Sequence, residues 1–272
     1  MRAAAILVLV GCAAPRDYRG IIHCHTKYSH DSTGTYEEIL AAAKAARVDF
    51  VVITDHPPRS DPGKPLREGW RGIRDGVLFI QGAELSDNIL AVGIREPIRA
   101  PDPQAMIDEI HAQGGLALIC HPEEVTDWSL RGLDGMEIYN VHAAFRAGLR
   151  NPKVLTEFAR LMREDPDHLY LPLCELDPNV LRKWRELKIA GVAGNDAHRN
   201  VNLLGVQLDP YERAFRFVST HVLANELSER AILAALKAGK CYVAFDLLGE
   251  PQGARGTERE FRGRRYPWIV RP

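Results

Sequence analysis

The stretch IIHCHTKYSHDS, residues 21–32, places three histidines and an aspartate directly behind two β-branched apolar residues. The apolar pair predicts a short buried strand. Side chains alternate along a strand, so His23 and His25 are expected on the same side of it, where two imidazoles can hold one metal ion. An H-x-H pair also occurs by chance. The stretch therefore predicts a metal site only if other parts of the chain supply further ligands.

Downstream of this stretch, short apolar runs alternate with helix-like segments. Thr35 and Glu38 form a predicted capping box at the start of one helix, and Asp102 followed by Pro103 starts another. Three more helices are predicted over residues 152–165, 177–187 and 228–239, and strands over residues 20–25, 49–56, 76–85, 88–94, 116–122, 135–140, 188–198, 215–224 and 240–245. Apolar strands that alternate with helices indicate a mostly parallel sheet covered by helices, either an open α/β layer or a β/α barrel.

The composition of the 272 residues is that of an ordinary globular protein, with 46% hydrophobic residues, 26% charged residues and a formal net charge of -1. This balance excludes a polybasic nucleic-acid binder. The five cysteines include no C-x-x-C pair, which excludes a zinc ribbon and a thioredoxin-type motif. Cys24 and Cys120, each beside a histidine, are expected to be small buried residues that point away from the neighbouring histidine's face.

Ligand-type side chains stand at the ends of at least five predicted strands. They are His23, His25, His30 and Asp31, then Asp55 and His56, Glu84, His121, Asn140 and His142, and Asp196 and His198. The carboxyl ends of parallel strands open onto one face, so these side chains are expected to converge there. Imidazoles and carboxylates together suit zinc, manganese or iron. His111, His168 and His221 have no such companions nearby in the sequence, and we interpret them as structural.

The order of these motifs resembles the PHP (polymerase and histidinol phosphatase) family over about residues 20–245. The motifs are H-x-H with a downstream S-x-D-S, then T-D-H, G-A-E, C-H-P and N-D-A-H. The resemblance implies an α/β fold, a distorted (β/α)7 TIM-like barrel, and a site with two or three divalent metal ions (zinc, manganese or iron) that hydrolyses phosphoesters.

Carried over by motif, the resemblance implies three ion sites. The first ion is bound by His23, His25, Glu84 and Asp196, the second by Glu84, His121 and His142, and the third by Asp31, His56 and His198. His30 competes with Asp31 for the third site, and the S-x-D-S spacing favours Asp31. In one departure from the family, Asp87 and Asn88 follow the glutamate where the family often has a histidine.

The implied reaction is attack of a metal-activated hydroxide on a small phosphomonoester or a nucleotide-type ester. Asp55 is expected to orient the site, and His198 or His30 to protonate the leaving group. Arg146 and Arg199 are expected to contact the substrate's phosphate. A nucleic-acid substrate is disfavoured because the chain lacks a basic stripe with interleaved aromatic residues. The alternatives are an amidohydrolase-type hydrolase, which needs a modified lysine at a strand end, and a non-catalytic metal-binding envelope lipoprotein.

The N-terminus, MRAAAILVLVGC, resembles a bacterial lipoprotein signal whose lipobox ends at Cys12. This predicts lipid attachment at Cys12 and a membrane anchor in the cell envelope. The alternative is a cytoplasmic protein with a misassigned start. Domain boundaries are predicted as a signal and short tether over 1–19, the PHP domain over 20–247, and an irregular tail rich in arginine and glycine over 248–272.

Overall fold

The computed structural model describes residues 14–203, 206–252 and 256–271, and the predicted lipidation residue Cys12 lies outside them. The strands are β1 (Arg16–Cys24), β2 (Phe50–Ile53), β3 (Gly72–Arg74), β4 (Val77–Glu84), β5 (Ile89–Val92), β6 (Leu116–Ile119), β7 (Gly135–Asn140), β8 (Ala190–Ala197), β9 (Asn202–Leu203), β10 (Val206–Gln207), β11 (Ser219–Ala224), β12 (Cys241–Ala244), β13 (Glu258–Phe261), β14 (Arg264–Pro267) and β15 (Ile269–Val270). The helices are α1 (Tyr36–Ala45), α2 (Lys64–Glu68), α3 (Pro103–Ala112), α4 (Val141–Gly148), α5 (Pro152–Glu164), α6 (Pro178–Leu187), α7 (Tyr211–Phe217) and α8 (Glu229–Lys237).

Seven strands close into a barrel. They follow the order β1, β2, β4, β5, β6, β7 and β8, and β8 pairs back onto β1. Neighbours are parallel except at β5, which is antiparallel to both β4 and β6. The link between β4 and β5 is too short for a parallel crossover, so β5 must run back along β4. The predicted distorted seven-stranded barrel is confirmed.

The N-terminal half of β1 leaves this ring and pairs antiparallel with β11, which continues to β12 and β15. The sequence predicts an irregular tail after residue 248, and this is wrong for the strands β13, β14 and β15. Ile269 and Val270 are buried against β12, which explains why the chain end is ordered there. Residues 215–217, predicted to begin a strand, instead end α7.

The helices begin where the sequence supplies capping side chains. The Thr35–Glu38 capping box is present at α1, and Asp102 caps α3. Asn140 caps α4, a helix that the sequence analysis did not predict. Ile39 on α1 is fully buried and packs in one apolar cluster with Val51 of β2. Among the described residues, no helix combines the length and apolarity needed to cross a bilayer.

Three barrel strands end in strained backbone. His23, His121 and Asp196 have φ values of 67°, 46° and 49°, in the left-handed region that costs a residue with a side chain about 1–3 kcal/mol. The pairing register of β1 with β2 also shifts between Ile21 and Cys24. This irregularity redirects the side chains. We predicted His23 and His25 to be neighbours from regular alternation along the strand, but the alternation is interrupted here and does not bring them together.

Candidate metal centre

Eight nitrogen- and oxygen-bearing side chains meet at the carboxyl ends of the barrel strands, and we refer to them as the donor cluster. They form two groups, His23, Glu84, His121 and Asp196 in one, and His25, Asp31, His56 and His198 in the other. Within each group the ligand atoms lie within 4.8 Å of one another. A third group shares members with these two and consists of His142, Asp196 and His198.

The carboxylate of Glu84 lies between the two groups. Its Oε2 is 2.9 Å from His23 Nε2, 3.2 Å from His25 Nε2 and 3.3 Å from His56 Nε2. Its Oε1 is 3.3 Å from His121 Nε2. One carboxylate therefore faces four imidazole nitrogens, which is the arrangement expected of a ligand that bridges two ions.

The hydrogen bonds of the other ring nitrogens decide which atoms face the centre as lone pairs. His23 Nδ1 is 2.6 Å from Glu137 Oε1, and His198 Nδ1 donates to the carbonyl oxygen of Asp196 at 2.9 Å. In the neutral form of either ring the single N–H is on Nδ1, so Nε2 carries a lone pair. These Nε2 atoms face carboxylate oxygens of Glu84, Asp196 and Asp31. The arrangement is attractive when a proton or a metal ion lies between the ring nitrogen and the carboxylate.

Three buried atoms of the donor cluster have no hydrogen-bond partner in the described structure. They are His25 Nε2, Asp31 Oδ1 and Asp196 Oδ1, and the first and last of these lie 3.4 Å apart. An unsatisfied buried polar atom costs about 1–3 kcal/mol, so all three atoms require a further partner. A divalent ion coordinated by imidazole nitrogen and carboxylate oxygen supplies it, and the donor set suits zinc, manganese or iron. The residues present thus fit the metal ions that the sequence implied.

The charges in the donor cluster favour a bound cation. Burial acts to lower the pKa of His23, but the carboxylates of Asp196 and Glu84 outweigh burial and hold that pKa well above its usual value. Burial also opposes protonation of His121, yet Glu123 and Glu84 raise its pKa to about 11. Conversely, burial acts to raise the pKa of Glu84, and the surrounding histidines lower it. The carboxylates thus create a negative potential that protons or metal ions neutralise.

Comparison with known proteins identifies the family. The chain matches the PHP domain over residues 22–262, which is most of its length. It belongs to the PHP family. The uncharacterized protein MJ1587 of Methanocaldococcus jannaschii is 29% identical over 145 residues, which covers 44% of this chain and 81% of that protein.

Two solved structures share the PHP-type fold. One is a two-domain protein of Bacteroides vulgatus ATCC 8482 that contains a predicted PHP-like metal-dependent phosphoesterase, with a TM-score of 0.54, 16% identity, and coverage of 85% of this chain. This chain spans 65% of that protein's length. The other is PsfC of Pseudomonas syringae PB-5123, with a TM-score of 0.52, 14% identity, and coverage of 84% of this chain and 91% of that one.

The structure brings the nine predicted metal ligands of this PHP protein together but groups them differently, since His25 lies with Asp31, His56 and His198, and His121 lies with His23, Glu84 and Asp196. Asp31, not His30, lies in the donor cluster, with its Oδ2 3.2 Å from His198 Nε2 and 3.4 Å from His56 Nε2. The side chain of His30 is 77% exposed at the rim, with its Nε2 3.9 Å from Asp31 Oδ2. His142 lies at the start of α4, its ring centre 6.0 Å from that of His198.

Asp55 lies outside the donor cluster. Its carboxylate accepts hydrogen bonds from the backbone N–H of Thr26 at 2.6 Å and from the Thr26 hydroxyl at 2.8 Å. It therefore fixes the turn that follows His25, and among the described residues it has no hydrogen bond to a predicted ligand side chain. This buried carboxylate supports the loop that joins His25 to Asp31.

The two predicted substrate arginines differ in position. Arg146 lines a cleft of about 370 Å³ that opens over the donor cluster, and it pairs with Glu124 at 3.2 Å. Arg199 pairs instead with Glu38 at 3.1 Å and is not among the residues that line the cleft. The geometry supports Arg146 alone as a residue that a substrate in the cleft can reach.

Cys120 is buried in an apolar cluster as expected, but it does not point away from the neighbouring histidine's face. Its Sγ is 3.7 Å from Glu84 Oε1, and His121 Nε2 is 3.3 Å from the same oxygen. Regular strand alternation would separate these neighbours, but the positive φ of His121 turns both toward Glu84. Burial raises the pKa of the Cys120 thiol well above its usual value, so it stays protonated beside the donor cluster.

Glu137 is a fully buried carboxylate that contacts the donor cluster, and it was not predicted from the sequence. It lies in the middle of β7, between the apolar residues Met136 and Ile138. A charged residue inside an otherwise apolar strand is the sequence feature that could have identified it, since an unpaired buried charge is costly. The motif comparison passed over it because Glu137 ends no strand.

Proposed function

We propose that this protein is a metal-dependent phosphoesterase that hydrolyses a small phosphate ester at a site of two or three divalent ions. The observation that carries the proposal is the set of imidazole nitrogens that face Glu84, Asp196 and Asp31, with unsatisfied donor atoms among them, inside a PHP fold. The Bacteroides vulgatus protein, described as containing a predicted PHP-like metal-dependent phosphoesterase, has a similar fold and supports the same reaction class.

Each group of the donor cluster is assigned an ion. The group around His23 and Glu84 holds one, and the group around His56 and Asp31 holds another; His142 with Asp196 and His198 offers a third position. Divalent ions bound in this way lower the pKa of coordinated water to near neutrality and neutralise charge on a phosphoryl group. Glu84 faces an imidazole of each group and would hold the first two ions near enough for both to bind one phosphate.

The protein's own side chains position the ester and supply a proton. The guanidinium of Arg146 is suited to grip two phosphoryl oxygens, and its pairing with Glu124 is exposed and easily exchanged. His198 Nε2 faces Asp31 and is committed to the donor cluster. His30 does not line the cleft, but its exposed side chain lies beside Asp31 at the rim, so we assign proton donation to the leaving group to His30.

The cleft favours a small substrate. Its volume of about 370 Å³ suits a phosphomonoester or a nucleotide-sized ester. Arg146 is the one arginine or lysine that lines it within the described residues, alongside the carboxylates of Asp87 and Glu124. A polymeric nucleic acid needs a continuous basic groove, and this lining does not provide one.

Release of nitrophenol from 4-nitrophenyl phosphate and from bis(4-nitrophenyl) phosphate tests the proposal, with manganese, zinc or iron and with a chelator. We expect metal-dependent turnover that favours the monoester and that Glu84→Gln abolishes. Turnover that survives the chelator, or full activity of Glu84→Gln, would contradict the proposed mechanism. Metal binding without any ester hydrolysis would instead favour a non-catalytic metal-binding protein.

We further propose that the chain is anchored to an envelope membrane through a lipid on Cys12, based on its lipobox. The test is fractionation of cells that express the full chain and its Cys12→Ala variant. The wild type is expected with membranes and the variant in the soluble fraction. Equal sedimentation of both forms with membranes would refute the anchor.

A further inference from the structure

Three hydrogen bonds converge on the buried carboxylate of Glu137. His23 Nδ1 lies 2.6 Å from Oε1, while the backbone N–H of His121 donates to Oε2 at 3.0 Å and Asn140 Nδ2 donates to it at 2.8 Å. Two of these contacts reach predicted metal ligands, His23 on β1 and His121 just after the end of β6. The third reaches Asn140, the cap of the helix that begins beside His142.

The direction of each bond is fixed by chemistry. A backbone N–H can only donate, and Asn140 must donate because its Oδ1 already accepts from Ala143 N–H at 2.9 Å. Oε2 of Glu137 thus accepts twice, and Oε1 is left to accept the proton on His23 Nδ1. When His23 is neutral, as a metal ligand must be, its lone pair is therefore on Nε2, the atom that faces Glu84 and Asp196.

The fold keeps a space open for this carboxylate. Gly194 on β8 lies directly beside it, and a Cβ at that position would be 2.0 Å from Glu137 Oε1. Glu137 has no exposed surface and three bonds to retain, so it cannot yield without losing some of them. Glycine at 194 is thus required by the carboxylate.

We propose that Glu137 is a positioning residue of the metal site, which sets the ring orientation and tautomer of His23 and anchors His121 and the start of α4. The inference rests on the proposed function, since it assumes that His23 and His121 bind an ion. Carboxylates that orient metal-bound histidines typically change metal affinity by 10- to 100-fold. Replacement of Glu137 should weaken the contribution of both His23 and His121 to metal binding.

Glu137→Gln is a sharp test because glutamine cannot satisfy all three donors. If its amide oxygen faces His121 and Asn140, its NH2 faces His23 Nδ1 and forces the His23 proton onto Nε2, where it blocks metal binding. If the oxygen faces His23, the NH2 opposes two donors. Either arrangement weakens the site.

The experiment measures manganese affinity by titration calorimetry and the visible absorption of the cobalt-substituted protein. We expect manganese binding about 10- to 100-fold weaker in Glu137→Gln, with altered cobalt bands, and a smaller loss in the same direction in Gly194→Ala. Asp134→Asn is the matched control, because Asp134 is a buried carboxylate that holds His111 and the N–H of Ala117 away from the donor cluster. It should bind manganese as the wild type does.

Folded Glu137→Gln with wild-type manganese affinity would overturn the inference, as would an equal loss in Asp134→Asn. If Glu137→Gln does not fold, Gly194→Ala decides, and unchanged affinity and cobalt spectrum in that variant would overturn the inference. A wild-type protein that binds no ion would overturn the proposed function as well. Wild-type binding with unaffected variants would overturn the role of Glu137 alone.

Discussion

Two buried sites among the described residues combine imidazole with carboxylates, and they balance the negative charge of those carboxylates differently. The donor cluster lies at the carboxyl ends of the strands. The second site, the His221 network, lies where β1, β11 and β12 pair, and consists of His221, Asp17, Asp246, Tyr242 and Arg19. Both are shielded from water, yet only the first has unsatisfied atoms in its imidazole and carboxylate groups.

The His221 network is complete with a single proton. His221 Nδ1 is 2.9 Å from Asp17 Oδ1 and Nε2 is 3.2 Å from Asp246 Oδ1, so a protonated ring donates on both sides. Burial acts against that charge, but the two aspartates raise the pKa of His221 from its ordinary 6.5 to about 9. The remaining carboxylate oxygens accept from Tyr242 and Ser219 hydroxyls.

In the donor cluster, by contrast, several imidazole and carboxylate atoms have no partner. His25 Nε2, Asp31 Oδ1 and Asp196 Oδ1 are buried and unsatisfied. A carboxylate on the second ring nitrogen does not distinguish the two sites, because His23 and His221 both have one. The unsatisfied donor atoms are what distinguish the proposed metal site from the His221 network.

The largest expected effect comes from a substitution that removes a ligand of the donor cluster and leaves the His221 network unchanged. Asp196→Asn removes a carboxylate that faces His23 and His25, and we expect it to lose at least one ion and to lower kcat on the order of a thousandfold. His221→Gln should keep the wild-type metal content and kcat. Elemental analysis and phosphate release measure both; a His221→Gln protein that loses its metal would contradict the distinction.

The second effect concerns stability, which should depend on the His221 network in the metal-free protein. His221→Gln leaves Asp17 and Asp246 buried without their shared cation, so the free energy of unfolding of the metal-free protein should fall by about 3 kcal/mol. Urea denaturation in the presence of a chelator measures it. His111→Asn is the control, because the His111 side chain is half-buried and its described hydrogen-bond partner is Asp134. This variant should lose less free energy of unfolding. Equal losses would show that His221 holds no special network.

Addition of manganese gives a further test of the difference between the donor cluster and the His221 network. An ion that binds only the folded state at 100 times its Kd raises the free energy of unfolding by about 2.7 kcal/mol. Manganese should therefore stabilise the wild type and His221→Gln to the same extent, and Asp196→Asn much less. Thermal unfolding with and without manganese measures this, and equal stabilisation of all three proteins would place the ion elsewhere.

The smallest effect is a dependence of stability on pH. Because the folded pKa of His221, about 9, exceeds the ordinary 6.5, its stabilisation is complete below pH 6.5 and is lost as pH rises through 9. The charged groups facing it are Asp17, Asp246, Arg19 and Arg271. Raising the pH from 7 to 10 should destabilise the metal-free wild type by about 2 kcal/mol more than His221→Gln. Parallel pH profiles of urea denaturation would contradict this.

Much of the site could be predicted because its ligands follow the ends of apolar strands. The runs ending near His25, Glu84, His121 and Asp196 predicted both the strands and the side chains that converge. The same runs gave the seven barrel strands, since a continuous apolar stretch between helices is typical of a buried parallel strand.

Features that depend on distant pairing were missed. His221 has no acidic neighbour in sequence, but its partners Asp17 and Asp246 come from 204 and 25 positions away. Glu137 was overlooked because its role depends on Gly194 of the adjacent strand, which only pairing reveals. Local pattern also predicted regular alternation at His23 and His121, where positive φ values overrule it.

We propose that metal ions, rather than protons alone, balance the negative charge of the carboxylates in the donor cluster. Anomalous diffraction from crystals grown with manganese tests it most directly. We expect at least two manganese peaks, one beside His23 Nε2, Glu84 and Asp196 and one beside His56, Asp31 and His198, and none beside His221. A donor cluster without anomalous density in crystals saturated with manganese would contradict the account.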